Sequence, residues 1–139
     1  EGVCMAEADI EFAIMANSDF RNANFRDADM SGAILDAANL SGADLRRANL
    51  RGASFQDTRL DAADLREARM GRAILKRTSL KEADLRGAYL RVAKFHRTDI
   101  SGADLRDVEG LTTTQIMHTI RDAHTRLPVD LITEIEDGE

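Results

Sequence analysis

Five arginines stand twenty residues apart: Arg26, Arg46, Arg66, Arg86 and Arg106. Two residues before them come Asn24, Asp44, Asp64, Asp84 and Asp104. Guanidinium and carboxylate groups recognise each other bidentately, so this constellation has two readings. In one, each arginine leans toward an aspartate of its own or the next turn and the column neutralises itself. In the other, the column is a docking strip for a carboxylate- or phosphate-rich partner. A second column, Ile14, Ile34, Ser54, Ile74 and Lys94, carries three isoleucines where other outward positions are polar. These are either scattered exposed aliphatics or the contact face for a protein partner or a second copy.

Groups that could carry out a reaction are sparse. His96, His118 and His124 differ in place, and the last two are six apart; a metal pair on one helical face needs a spacing of four. The glycines are isolated and make no phosphate loop. The aspartates recur without the glycine-rich nonapeptide of calcium-binding β-rolls. Cys4 is the only cysteine, which excludes an intrachain disulfide and leaves a structural zinc site unsupported. One tyrosine and no tryptophan give no stacking platform for nucleic acid. The expectation is a non-enzyme without cofactor or metal, binding neither nucleic acid nor membrane. No apolar run approaches the ~20 residues of a membrane-spanning helix, and no signal peptide stands out, so a cytoplasmic location is expected. Glu1 already lies in repeat register, with Val3 and Met5 at inward positions, so a domain before it remains open.

Something must hold those columns in line, and the sequence supplies it. All residues numbered in multiples of five from Ile10 to Leu105 are large and apolar. All residues two places earlier, from Ala8 to Ala103, are Ala, Ser or Thr. A period of five fits neither a helical stripe nor a strand face. Within a pentad, however, the small and the large residue are two apart and both point inward from a short extended segment, and the remaining residues turn a corner. Gly32, Gly42, Gly52, Gly87 and Gly102 fall at such corners, where tight turning favours glycine. Thr58, Thr78 and Thr98, the three isoleucines and the five arginines all align at twenty and not at fifteen. Four pentads therefore make one turn of a square coil, and there are about five turns.

The pentads Ala43-Asp44-Leu45-Arg46-Arg47, Ala48-Asn49-Leu50-Arg51-Gly52 and Ala83-Asp84-Leu85-Arg86-Gly87 resemble the A(D/N)LXX consensus of the pentapeptide repeat family. That resemblance implies an all-β solenoid, a right-handed quadrilateral β-helix. It also admits a DNA-mimic role on a type II topoisomerase such as gyrase, as some members have. Five turns at ~4.8 Å make a rod of roughly 24 Å. Over that length B-DNA carries about fourteen charges, against a net charge here of −6 from 19 basic and 25 acidic residues. A scaffold or protein–protein interaction module, its partner unnamed, is the better fit.

Two segments break the pattern. At the start, Cys4, Phe12, Ile14 and Ala16 replace polar residues, as an atypical terminal turn or as a contact surface for a preceding segment or partner. At the end, residues 111–139 follow the 1–110 coil as a separate segment. Thr112 and Gln115 form a capping box, and Ile116, Met117 and Ile120 share a helical side, predicting a short helix over 113–121 laid across the open end. Val129, Leu131, Ile132 and Ile135 either pack back on the coil or meet a partner, and Glu134, Glu136, Asp137 and Glu139 read as an acidic frayed tail. Exposed strand groups at the N-terminal end and the isoleucine stripe both offer routes to a weak homodimer.

Overall fold

The computed structural model describes residues 2–138; Glu1 and Glu139, assigned above to the repeat register and the acidic tail, lie outside the described residues. Parallel bridges join residues twenty apart all along the chain, from Cys4–Asn24 and Asp9–Asp29 to Asp84–Asp104 and Tyr89–Glu109. The repeat of four pentads per turn is thus the hydrogen-bonded repeat. Most pairings are single bridges. Regular strands form at β1 (Ile74–Lys76), which pairs in parallel with β2 (Lys94–His96), and at β3 (Thr98–Asp99), which pairs with β4 (Thr119–Ile120).

The two inward positions fill the interior. Every large residue from Phe25 to Leu105 and every small one from Ala23 to Ala103 is buried, while Ile10 and Phe20 near the first coil are half-buried. Small residues let the coil turn close to its own axis and large ones fill the middle, so each layer is dry. Burying a Leu or Phe contributes roughly 1.5–3 kcal/mol, and each coil touches only its neighbours. The threonines that replace alanine stitch coils together. The Thr58, Thr78 and Thr98 hydroxyls donate to the carbonyls of Leu35, Phe55 and Leu75 at 2.7, 2.5 and 2.5 Å.

The corners hold a regularity that the glycines only hinted at. Every fifth residue from Glu7 to Asp107 has positive φ, yet glycine occupies just five of these places. A non-glycine residue there is costly. The cost is offset because these residues, Val92 and Asp107 apart, donate their N–H to a carbonyl of the next coil: Glu7 to Arg26 at 2.8 Å, Asp27 to Arg46 at 3.0 Å, Arg72 to Arg91 at 3.0 Å. Asp or Asn two residues before a corner N–H also accepts from it, as Asp44 does from Arg46 at 3.1 Å and Asn39 from Ser41 at 3.0 Å. This Asx turn gives the recurring Asp and Asn a structural role.

The C-terminal segment departs from expectation twice. Helix α1 spans only Thr113–Ile116; its capping box of Thr112 and Gln115 is present and Ile116 is buried. The chain then re-enters the ladder, Thr119 pairing with Thr98 and Arg126 with Asp104. The spacing has slipped from twenty to twenty-one and twenty-two, because α1 and the 121–125 turn each take up extra chain. Gln115 Nε2 also donates to the carbonyls of Leu90 and Ala93, both at 2.9 Å. The acidic tail is in fact helix α2 (Val129–Asp137), which buries Leu131. Leu131 and half-buried Ile135 are four apart and share one side, and Asp130 suits the first turn. Charge alone suggested fraying; the aliphatic pair overrides it.

Candidate interaction surfaces

The arginine column lies along one edge of the coil and is paired with its own aspartates. Arg46, Arg66, Arg86 and Arg106 each hold the aspartate two residues back, with Nη2–Oδ2 distances of 2.7, 2.6, 2.7 and 2.6 Å. They reach less closely into the next coil: Arg46 to Asp64 and Arg66 to Asp84 at 3.7 Å, Arg86 to Asp104 at 3.8 Å. Arg26 differs because Asn24 precedes it, and its nearest carboxylate is Asp27 at 3.6 Å. These guanidinium hydrogen bonds hold the Asp44, Asp84 and Asp104 carboxyls below the usual carboxylate range. Arg47 to Asp27 and Arg77 to Asp57 add bidentate pairs across coils at the corners.

The isoleucines sit on another face. Ile14 is 80% exposed and Ile34 is 39% exposed, and the two are bridged neighbours. Ile74 is half-buried and separated from Ile34 by Ser54. The apolar stripe is therefore strongest at its N-terminal end. His96, His118 and His124 are exposed, and among the described residues no group of three or more His, Cys, Asp or Glu is placed to hold a metal ion. Among the described residues no helix is long and apolar enough to cross a membrane.

A family model for pentapeptide repeats matches eight copies, over residues 4–42, 38–77 and 73–108. The chain belongs to the pentapeptide repeat family. Membership implies the right-handed quadrilateral β-helix, and solved structures agree on the fold. The chain is similar to the pentapeptide repeat protein Rfr23 from the cyanobacterium Cyanothece 51142, with 20% identity and a TM-score of 0.61 over 86% of this chain and 87% of that one. It is also similar to trypsin-treated QnrB1, a plasmid-mediated fluoroquinolone resistance protein, with 15% identity and a TM-score of 0.60 over 97% and 82%. A search of curated protein sequences finds no match.

A third surface went unnoticed in the sequence because it is not one column. Arg51, Arg69, Arg72 and Arg91 line an open depression of about 980 Å³ with Tyr89 and Val92. Its floor is bare because Gly52 and Gly71 carry no side chain, and a Cβ at position 52 would meet nothing within 4 Å. None of the four arginines has a carboxylate within ion-pairing distance among the described residues. The readable signal was an arginine without a carboxylate two residues before it: Arg51 follows Asn49, and Arg91 follows Tyr89. Val92 is 58% exposed at φ +61, a conformation that is an outlier for a β-branched residue.

Proposed function

We propose that this protein is a non-catalytic scaffold or interaction module that presents flat strips to a protein partner. The reading takes the rod as about five coils over 1–110, closed at its C-terminal end by the 111–139 segment. The observation that carries it is the insertion-free coil. Outward side chains repeat in columns every twenty residues, so the surface is a set of parallel strips at ~4.8 Å spacing. The exposed Ile14–Ile34 pair supports a partner contact on that face. The arginine column serves a partner only if the partner's anions displace its own aspartates. The test is a photo-crosslinking residue placed at position 34 and, in a second variant, at position 66. A discrete adduct from position 34 in host extract, competed away by unlabelled protein, supports the reading. Diffuse or absent adducts from both positions count against it.

A second reading, a DNA mimic bound to a type II topoisomerase, draws on family membership and on the fold shared with QnrB1. The charge pattern argues against it, since the aspartate column that would imitate phosphates is held by arginines. No inhibition of gyrase supercoiling is expected at micromolar protein. Dose-dependent inhibition that survives moderate salt would reverse this ranking.

A further inference from the structure

The depression belongs to a face whose charge reverses along the rod. Its bridged column reads Asp9, Asp29, Asn49, Arg69, Tyr89, Glu109. Around the same corner stand Glu11 with Phe12 in the first coil, and Arg51, Arg72, Arg91 and Val92 further on. The N-terminal end of the face is thus anionic and most of the remainder cationic. Neither end is neutralised within the chain. Asp9, Glu11 and Asp29 form no ion pair among the described residues. Asp29 beside Glu11 raises the Glu11 carboxyl above its ordinary value, by favouring a proton shared between the two and by like charge.

The relief of the face reverses too. Phe12 is 73% exposed at φ +57 and lies over Gly32, where an added Cβ would come within 2.5 Å of its ring. It is a projecting aromatic knob at the acidic end. At the other end lies the depression floored by Gly52 and Gly71, with Tyr89 and Val92 at its rim.

We infer that this face is a self-complementary contact, on which a second copy of the chain docks antiparallel about a two-fold axis. A two-fold axis lying in the face and perpendicular to the rod maps each column onto itself in reverse. In the register that sets Glu11 against Arg91, Asp29 faces Arg69 and Phe12 faces Val92 at the rim of the depression, while Asp9 lies opposite Tyr89 and Arg51 meets its own copy on the axis. The operation does both at once, so the contact is isologous and closes at two copies. A nucleic acid fits less well. The cationic stretch spans only about two coil spacings, roughly 10 Å, and acidic residues stand beyond it at both ends. A single phosphate fits poorly as well, because all four arginines are exposed and only several simultaneous pairs hold at such sites. The paired area is small for a stable complex, so the dimer is weak and salt-sensitive. This inference goes beyond the partner reading and uses a different face, so a failed crosslink from position 34 leaves it standing.

The test exploits the symmetry. One variant reverses the basic end (Arg69→Glu/Arg91→Glu) and the other the acidic end (Asp9→Arg/Glu11→Arg). By sedimentation equilibrium in low salt, wild type should dimerise at high micromolar protein, and each variant alone should weaken at least tenfold. Mixed one to one, they should form a heterodimer, because one face is then largely acidic and the other largely basic. That rescue also shows that both variants are folded; the milder Phe12→Asn, which suits positive φ and removes the knob, should weaken the dimer with its circular dichroism unchanged, a second check on the same contact. A wild type that stays monomeric at millimolar protein overturns the inference. So does a dimer that ignores both reversals, or one abolished by Ile34→Lys/Ile74→Lys instead.

Discussion

Arg66 and Arg91 occupy equivalent outward places on two faces of the rod, directly after the inward Leu65 and Leu90, yet among the described residues one is paired and the other is not. Two residues before Arg66 stands Asp64, which accepts from the Arg66 backbone N–H at 3.2 Å and from its guanidinium at 2.9 and 2.6 Å. Two residues before Arg91 stands Tyr89, which offers no carboxylate. Arg51 is the intermediate case: Asn49 accepts its backbone N–H at 3.3 Å but brings no charge. At this place in the pentad, directly after the inward large residue, the residue at i−2 decides whether an arginine completes the protein's own surface or stays open to a partner. The pentad consensus, with Asp or Asn at that place, thus sets local electrostatics as well as the turn.

The comparison depends first on the rod holding both faces rigid, and the largest effect comes from breaking that. Leu65→Asp puts an unpaired charge into a dry layer, at a cost of several kcal/mol. We expect loss of the cooperative thermal transition. Arg66→Ala, next to it but outward, should cost little, because an exposed ion pair is screened by water. Equal losses in thermal melts would mean that inward and outward residues are wrongly assigned.

Much of this was readable beforehand, and the reason is specific. Ala63 and Leu65 could be assigned inward because twenty consecutive pentads repeat the same pair, so no single residue had to be judged alone. The coil of four pentads was readable because Thr58, Thr78 and Thr98 fall at one place in the turn. The corner conformation was less so. Glycine marks positive φ at Gly42 and Gly87, but Arg47, Ala62 and Glu67 adopt it too, held by inter-coil hydrogen bonds that only the closed coil supplies. Helix α2 was hidden by its own charge. The bipolar face was hidden because its arginines lie in three columns, at positions 51 and 91, 69, and 72, and only the assembled coil brings them round one corner.

A smaller effect separates the two tasks of the paired face. Asp84→Asn keeps the oxygen that caps the corner but loses the ion pair, whereas Asp84→Ala loses both. We expect the asparagine variant within about 1 kcal/mol of wild type and the alanine variant lower by a further ~0.5–1.5 kcal/mol. Acid titration reads the charge part separately. The Asp44, Asp84 and Asp104 carboxyls are depressed in the folded protein by their arginine partners. Their contribution is therefore fully present above the unfolded value of about 3.9 and is lost as pH falls through the lower folded values. The melting temperature of wild type should fall between about pH 4 and pH 2, and Asp44→Asn/Asp84→Asn/Asp104→Asn should flatten that fall. An acid limb of unchanged steepness in the triple variant would show that the ladder does not drive it.

The smallest and most discriminating change converts one face toward the other. Tyr89→Asp places a carboxylate two residues before Arg91 and in the column beside Arg69, copying the Asp64–Arg66 arrangement. Tyr89→Asn removes the same aromatic ring and supplies the same turn-capping oxygen without the charge. Their difference therefore isolates pairing from packing. In thermal melts the aspartate variant should exceed the asparagine variant by only about 0.2–1 kcal/mol, since the new pair is exposed. In sedimentation the order should reverse: the aspartate variant should self-associate several-fold more weakly, because Arg91 and Arg69 are then satisfied within the chain. The i−2 residue would in that case trade stability of the single chain against association of two, one charge at a time. If the two variants associate equally, the arginines of the depression do not carry the contact, and their lack of partners is a property of the surface alone.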